Sequence, residues 1–146
     1  MKESCRQSKG FSLIELLIVM VILGIIAAIA IPYLLHAKQA AHSASAVASL
    51  RLVHSSQGSY RQTSGVYGDM TILCDQGFIN DPSLRAGLKS DYSYTVTPAA
   101  IPANGYTALA TPASAPTIWN HYFVNETGVL RFEKGAAATS VSSPVQ

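Results

Sequence analysis

The stretch that decides the fold is GFSLIELLIVMVILGIIAAIAIPYLL, residues 10–35. Sixteen of the residues from 11 to 35 are Leu, Ile, Val or Phe, and no polar side chain lies between Leu16 and Ile31. A helix of about 20 apolar residues is long enough to cross a bilayer. Insertion of this stretch is worth about −5 to −10 kcal/mol, which exceeds the cost of about 3 kcal/mol for one carboxylate at Glu15. The sequence therefore predicts a membrane-spanning helix over residues 11–35.

The charge of the chain is concentrated before this stretch. Lys2, Arg6 and Lys9 against Glu3 account for the whole net charge of +2. Positive residues that flank a membrane span stay on the cytoplasmic side, so the rest of the chain is expected to cross to the outer face. Because that remainder has no basic patch, we expect no nucleic-acid partner.

Three interpretations fit an apolar stretch in this position. The first is a secretory signal peptide, since Ala28-Ile29-Ala30 matches the small-residue cleavage pattern. The second is a plain single-pass anchor, and the third is an anchor with an additional task. Glu15 separates them, because a carboxylate has no use inside a signal peptide and only weakens a plain anchor.

The string Lys9-Gly10-Phe11-Ser12-Leu13-Ile14-Glu15 resembles the motif of type IV prepilins at every position. That motif has a short basic leader ending in Gly, then Phe, a hydroxyl residue, two aliphatic residues, Glu and a long apolar segment. The resemblance to the type IV pilin and pseudopilin family is motif-grade over residues 9–35 and only architectural beyond them.

The resemblance implies specific roles for five residues. A membrane peptidase and methyltransferase would cut between Gly10 and Phe11 and methylate the new amino group of Phe11. The carboxylate of Glu15 would pair with that ammonium on a neighbouring subunit. Gly24 and Pro32 match the two positions between which the family's helix bends or unwinds. Independently of the family, Pro32 lacks a backbone donor, so a kink is expected there.

Beyond the anchor, helical spacing continues without proline to residue 61. An apolar stripe of Val47, Leu50, Val53 and Tyr60 predicts a helix half buried in a head domain. The opposite, polar side is expected to be exposed and carries Lys38, His42, Ser45, Ser49 and Ser56.

The head is predicted to be a small antiparallel sheet. Asp69 can cap a short helix over residues 70–76. Residues 92–97 alternate apolar and polar as a strand, residues 106–110 form a second strand, and residues 121–124 and 129–132 form a hairpin.

The predicted fold class is therefore α+β, a long N-terminal helix kinked at Pro32 and packed on a small antiparallel sheet, which is the pilin fold. The predicted organisation is a cleaved leader at 1–10, a transmembrane and filament-core half-helix at 11–35, an amphipathic half-helix at 36–62, a head at 63–135 and a loose tail at 136–146.

The predicted function is that of a structural subunit of a type IV pilus, anchored in the inner membrane as a precursor and then exported in a surface filament. The expected partners are membrane lipid, identical subunits, the prepilin peptidase, and an assembly platform with an ATPase motor. The alternatives are a pseudopilin of a type II secretion system and a minor or tip pilin that binds a surface or DNA.

No arrangement of residues in the sequence indicates catalysis, so the chain is not expected to be an enzyme, and we expect neither a cofactor nor a metal. Removal of the leader would take away Cys5 and leave Cys74 alone, so an intrachain disulfide is not expected in the mature protein.

The first prediction concerns processing. The intact mass of the mature protein should correspond to a chain that begins at Phe11 and carries one additional methyl group. A mass that begins at Ile31 would instead support a signal peptide cut after Ala30 and would contradict the prepilin interpretation.

Overall fold

A computed structural model describes residues 10–114 and 116–145. The predicted leader residues 1–9 lie outside the described residues. Contacts divide the chain into two compact units, Met1–Lys38 and Gln39–Gln146. Helix α1, Leu13–Ser64, begins in the first unit and ends in the second. The helix is continuous through Pro32, and a kink at that residue stays a prediction.

The second unit holds all the remaining elements. After α1 come the short helices α2, Met70–Asp75, and α3, Pro82–Arg85. The strands are β1, Leu88–Lys89; β2, Tyr92–Pro98; β3, Tyr106–Pro112; β4, Asn120–Asn125; β5, Arg131–Lys134; and β6, Ser143–Pro144. They form one antiparallel sheet in sequential order, β1-β2-β3-β4-β5-β6. Each strand therefore pairs with its neighbour in the sequence.

The predicted hairpin is confirmed, with a longer connection than expected. Strands β4 and β5 pair with Phe123 opposite Arg131, so residues 126–130 connect them. Gly128 has a φ of 75° and its N–H donates to the carbonyl of Asn125 at 3.0 Å. The connection is longer because this left-handed residue closes a turn before the strand pairing resumes.

The core lies between the second half of α1 and one face of the sheet. Leu50 and Val53 of the helix are fully buried. The sheet contributes alternate residues of each central strand to the same cluster, namely Tyr92, Tyr94, Val96, Tyr106, Ala108, Ala110, Tyr122 and Val124. Because this face alternates with exposed residues along β2, the period-two pattern of that strand correctly indicated its buried side. The predicted α+β pilin fold is confirmed.

Polar residues of α1 are more deeply buried than expected. Ser49 and Ser56, which were assigned to the exposed side, are only 2% and 5% accessible. The Ser56 hydroxyl donates to the carbonyl of Phe78 at 3.1 Å. A serine is small enough to let another segment approach the helix, and its hydroxyl can satisfy that segment's backbone.

Gln57 is a fully buried amide that joins α1 to the loop before α2. Its Nε2 donates to the Gly68 carbonyl at 2.5 Å, and its Oε1 accepts from the Gly68 N–H at 3.0 Å. The Gln57 amide therefore supplies hydrogen-bond partners to both the N–H and the carbonyl of Gly68, as a neighbouring strand would do in a sheet.

Both short helices begin at an aspartate. Asp69 accepts from the N–H of Ile72 at 2.8 Å, which confirms the predicted cap of α2. Asp81 caps α3, and its second carboxylate oxygen binds Lys89 Nζ at 2.7 Å. The hydrogen bond from Lys89 lowers the pKa of Asp81 below its ordinary value. These aspartates therefore have local structural tasks.

The last segment differs from the loose tail that the sequence predicts for residues 136–146. Residues of β6 pair with β5, and the Val145 N–H donates to the Leu130 carbonyl at 2.8 Å. Arg131 Nη1 donates to the Ser142 carbonyl at 2.8 Å, and Ala138 is only 3% accessible. The segment is held by contacts to a distant strand, which its small and polar composition does not reveal.

The second prediction tests the buried amide. Replacing Gln57 with Leu should lower the free energy of unfolding by about 2–4 kcal/mol, because the buried N–H and carbonyl of Gly68 would lose their partners. Gln62 is an exposed glutamine of the same helix, so the matched change Gln62→Leu should alter stability by less than about 0.5 kcal/mol. Urea unfolding of the full chain in detergent measures both. Equal effects would show that the two hydrogen bonds are not the source of the loss.

Candidate functional site

The start of α1 holds the carboxylate that the sequence singled out. Glu15 lies in the first turn, and its Oε2 accepts a hydrogen bond from the backbone N–H of Ser12 at 2.9 Å. Ser12 immediately precedes the first helical residue, and its carbonyl accepts from the N–H of Leu16 at 3.3 Å. Glu15 therefore caps its own helix, in the manner of the glutamate of a capping box.

Ser12 is the residue of this site that the sequence analysis missed. Its backbone N–H is one of the donors that a helix start leaves without an intrahelical partner. The signal was present, since Ser12 and Glu15 form the S-x-x-E pattern before an apolar stretch. From the sequence, Glu15 was expected to favour the positive end of its own helix dipole and to pair with another subunit, and the bond to the Ser12 N–H was not expected.

The surface that follows Glu15 is apolar and open. The described residues contain one helix long and apolar enough to cross a membrane, with a mean hydropathy of 3.0 and none of its most apolar 18-residue window buried. Its large side chains between residues 13 and 35 range from 47% accessible at Val19 to 88% at Leu13. An apolar surface of this extent requires lipid or protein against it.

Gly24 and Pro32 both lie inside this open part of the helix. Beyond the helix's own adjacent backbone, no described atom lies within 4 Å of the position that a Gly24 Cβ would take, so packing within the described residues does not require a glycine there. Glycine nevertheless weakens a helix by about 1 kcal/mol relative to alanine. Pro32 cannot donate to the carbonyl of residue 28. Gly24 and Pro32 therefore lie at the two ends of a segment of α1 in which the helix is less stable. They do not form a common site.

Gly10 and Phe11 precede the helix and are both exposed. Phe11 is 81% accessible, and no described residue other than the chain neighbours has an atom within 4 Å of the position that a Gly10 Cβ would take. Phe11 is followed directly by Ser12, whose backbone N–H donates to the Glu15 carboxylate.

Cys74 is half-buried and packs against the core of the second unit. Burial raises the pKa of its thiol, which the nearby Arg85 only partly offsets. The thiol is thus less acidic than a free cysteine and behaves mainly as a small packing residue.

A comparison with known protein families finds a match at the start of the chain. The family described as the prokaryotic N-terminal methylation motif matches residues 5–31. Searches of curated proteins and of solved structures found no match.

The matched segment includes all of the motif residues from Gly10 to Glu15 and most of the open apolar helix. This motif indicates a class III leader, which is processed by a prepilin peptidase. The match is confined to residues 5–31. Together with the sheet that packs on the second half of α1, it supports a type IV pilin-like or pseudopilin-like protein with a methylation motif and an N-terminal transmembrane helix.

Proposed function

We propose that the mature chain, residues 11–146, is a structural subunit of a type IV pilus and polymerises through its N-terminal helix. The observation that carries this proposal is the position of Glu15, a lone carboxylate in the first turn of α1, at the start of the apolar and uncovered stretch that extends to residue 35. The cap uses one oxygen of the carboxylate, and neither lipid nor a folded head domain supplies a partner for the other.

Processing comes first in the proposed sequence of events. The peptidase cuts between Gly10 and Phe11 and then methylates the Phe11 amino group. The exposure of both residues supports access of an enzyme to this bond. The absence of a Cβ at Gly10 lets the backbone approach catalytic carboxylates closely.

Before assembly the helix is held in the inner membrane. The basic residues of the leader keep the N-terminus cytoplasmic, and the head lies on the other side. In lipid, the Ser12 N–H and the positive end of the helix dipole lower the cost of the Glu15 carboxylate. The subunit can therefore wait in the bilayer with its charge partly satisfied.

Assembly then uses the second oxygen of the Glu15 carboxylate, which the contact with the Ser12 N–H leaves free. Among the described residues, only the Ser12 N–H is hydrogen-bonded to the Glu15 carboxylate, and it occupies Oε2. Oε1 is available to the Phe11 ammonium of a neighbouring subunit. Such a pair is much stronger in apolar surroundings than in water, and it forms at one axial position only. Glu15 would thereby set the register of each incoming subunit.

The open apolar surface exchanges lipid for neighbouring helices in this step, so it is never exposed to water. An assembly platform and an ATPase motor would drive the transfer. Contacts of this head-to-tail kind do not close and generate a helical filament. The weakened stretch between Gly24 and Pro32 would bend or unwind to fit the packing of the filament.

The third prediction tests Glu15. Glu15→Leu and Glu15→Gln should be inserted and processed normally but should yield filaments at no more than about one tenth of the wild-type amount, because the charged partner of the Phe11 ammonium is gone. Immunoblots of sheared fibres measure assembly, and the intact mass measures processing. Abundant normal filaments from Glu15→Leu would contradict the proposed role.

Ser12 provides the matched controls. Ser12→Ala keeps the backbone N–H that binds Glu15 and should assemble normally. Ser12→Pro removes that N–H but leaves the carboxylate, and it should also assemble if pairing between subunits is the essential role. Loss of filaments from processed Ser12→Pro would show that the cap within the subunit is what matters.

The fourth prediction distinguishes a major subunit from a minor pilin or a pseudopilin. Surface fibres sheared from wild-type cells should be homogeneous by electron microscopy, and their dominant protein should have the mass of residues 11–146. If the chain occurs only in trace amounts in fibres built from another protein, the role of major subunit is excluded.

A further inference from the structure

The second unit contains a groove that the filament function does not use. It lies between α1 and the turn that connects β4 with β5, and its volume is about 440 Å³. That volume is within the range of small-molecule sites. We call it the α1–turn groove and define it by His54, Gly58, Arg61, Tyr67, Tyr106 and Glu126.

One face of α1 forms the helical wall of the groove. His54, Gly58 and Arg61 are spaced by four and three residues, which places them on the same face. A Cβ at Gly58 would meet no atom within 4 Å, so this position leaves the wall open between the two larger side chains. The imidazole and the guanidinium are thus separated by a free space rather than by packing.

Two tyrosines hold these polar side chains in place. His54 Nδ1 and the Tyr106 hydroxyl lie 2.7 Å apart, and Arg61 Nη1 donates to the Tyr67 hydroxyl at 2.8 Å. Arg61 also stacks over the Tyr67 ring, with its Cζ 4.9 Å from the centroid. Burial raises the pKa of Tyr106, so its phenol stays protonated. The two basic side chains are therefore oriented before any ligand arrives.

On the side of the β4–β5 turn, the groove is lined by the carboxylate of Glu126. Glu126 is exposed, and its carboxylate occupies the space beside Gly105, where a Cβ would lie 2.8 Å from Oε2. A Cβ at Gly128 would similarly lie 2.8 Å from His54 Nε2. Among the described residues neither Arg61 nor Glu126 belongs to an ion pair. The groove thus offers one cation and one anion, both without a charged partner.

This set of groups restricts the ligand. A simple anion would be repelled by Glu126, a simple cation by Arg61, and an apolar molecule would leave both charges desolvated. A ligand with a carboxylate for the guanidinium and hydroxyl donors for the Glu126 carboxylate satisfies both charges. Sugar hydroxyls can also accept from the nearby amide of Gln62, which lines the same groove.

We propose that the α1–turn groove binds an acidic saccharide unit, with its carboxylate on Arg61 and its hydroxyl groups on Glu126. An arginine fork is matched to a carboxylate, and a carboxylate acceptor binds adjacent hydroxyls. This binding does not depend on polymerisation, so it stands or falls separately from the filament function.

The fifth prediction tests the groove directly. The full mature chain in detergent micelles is titrated with a disaccharide that carries one glucuronate, and calorimetry measures the affinity. Arg61→Gln and Glu126→Gln should each weaken binding by at least about tenfold, because each removes a charged partner. Arg85→Gln is the matched control, since Arg85 pairs with Asp75 outside the groove and should bind as the wild type does.

Gly105→Ala sharpens the test because it removes no charge. Its Cβ would displace the flexible end of Glu126 rather than backbone, so the fold should be kept while affinity falls by several-fold. Unchanged affinity in Gly105→Ala would contradict the proposed placement of Glu126.

Two comparison ligands complete the design. The neutral disaccharide with glucose in place of glucuronate should bind at least about tenfold more weakly, because it lacks the partner of Arg61. The proposal is overturned if the acidic disaccharide shows no saturable binding at millimolar concentration, or if Arg85→Gln weakens it as much as Arg61→Gln. Tighter binding of the zwitterionic dipeptide glycylglycine would assign the groove to peptide ends and would also overturn it.

Discussion

Burial of the apolar surface of α1 is the constraint on which both compact units depend. In the second unit Ala46, Leu50 and Val53 are fully buried against the sheet, and this contact supplies the helical side of the core. In the described part of the first unit the large apolar side chains remain at least 47% accessible. Exposed apolar area costs about 25 cal/mol per Å², so a surface of this size cannot be left in water. The first part of the helix therefore needs lipid or neighbouring helices as its surroundings.

Glu15 is the polar exception on this surface, and its geometry changes the energetic argument for assembly. An unpaired carboxylate in lipid would act as a penalty that each subunit must relieve. Here the Ser12 N–H already binds one of its oxygens. In the proposed filament, assembly would then add a partner to a carboxylate that is partly satisfied, and it would not rescue a fully unpaired charge. The second oxygen of Glu15, Oε1, would pair with the Phe11 ammonium of the neighbouring subunit, and this pair would set the axial register.

The local features of the chain were predictable from its sequence, because each depends on residues that are close along the chain. The Asp69 cap, the alternation in β2 and the apolar helix are of this kind, and the structure confirms them. The errors concern long-range contacts. Burial of Ser56 depends on the carbonyl of Phe78, and the order of the last segment depends on the pairing of β6 with β5. A serine or a small polar segment has no periodicity that would reveal such a partner.

The sequence by itself determined the anchor, the processing motif and the α+β class, since hydrophobicity, charge order and a contiguous motif are properties of the chain before it folds. Only the tertiary structure decided that Ser143–Pro144 adds an edge strand to the sheet and that Arg61 and Glu126 line the same groove. These two residues are far apart in sequence and become neighbours because α1 packs beside the β4–β5 turn. Their convergence is a consequence of packing, and no local pattern encodes it.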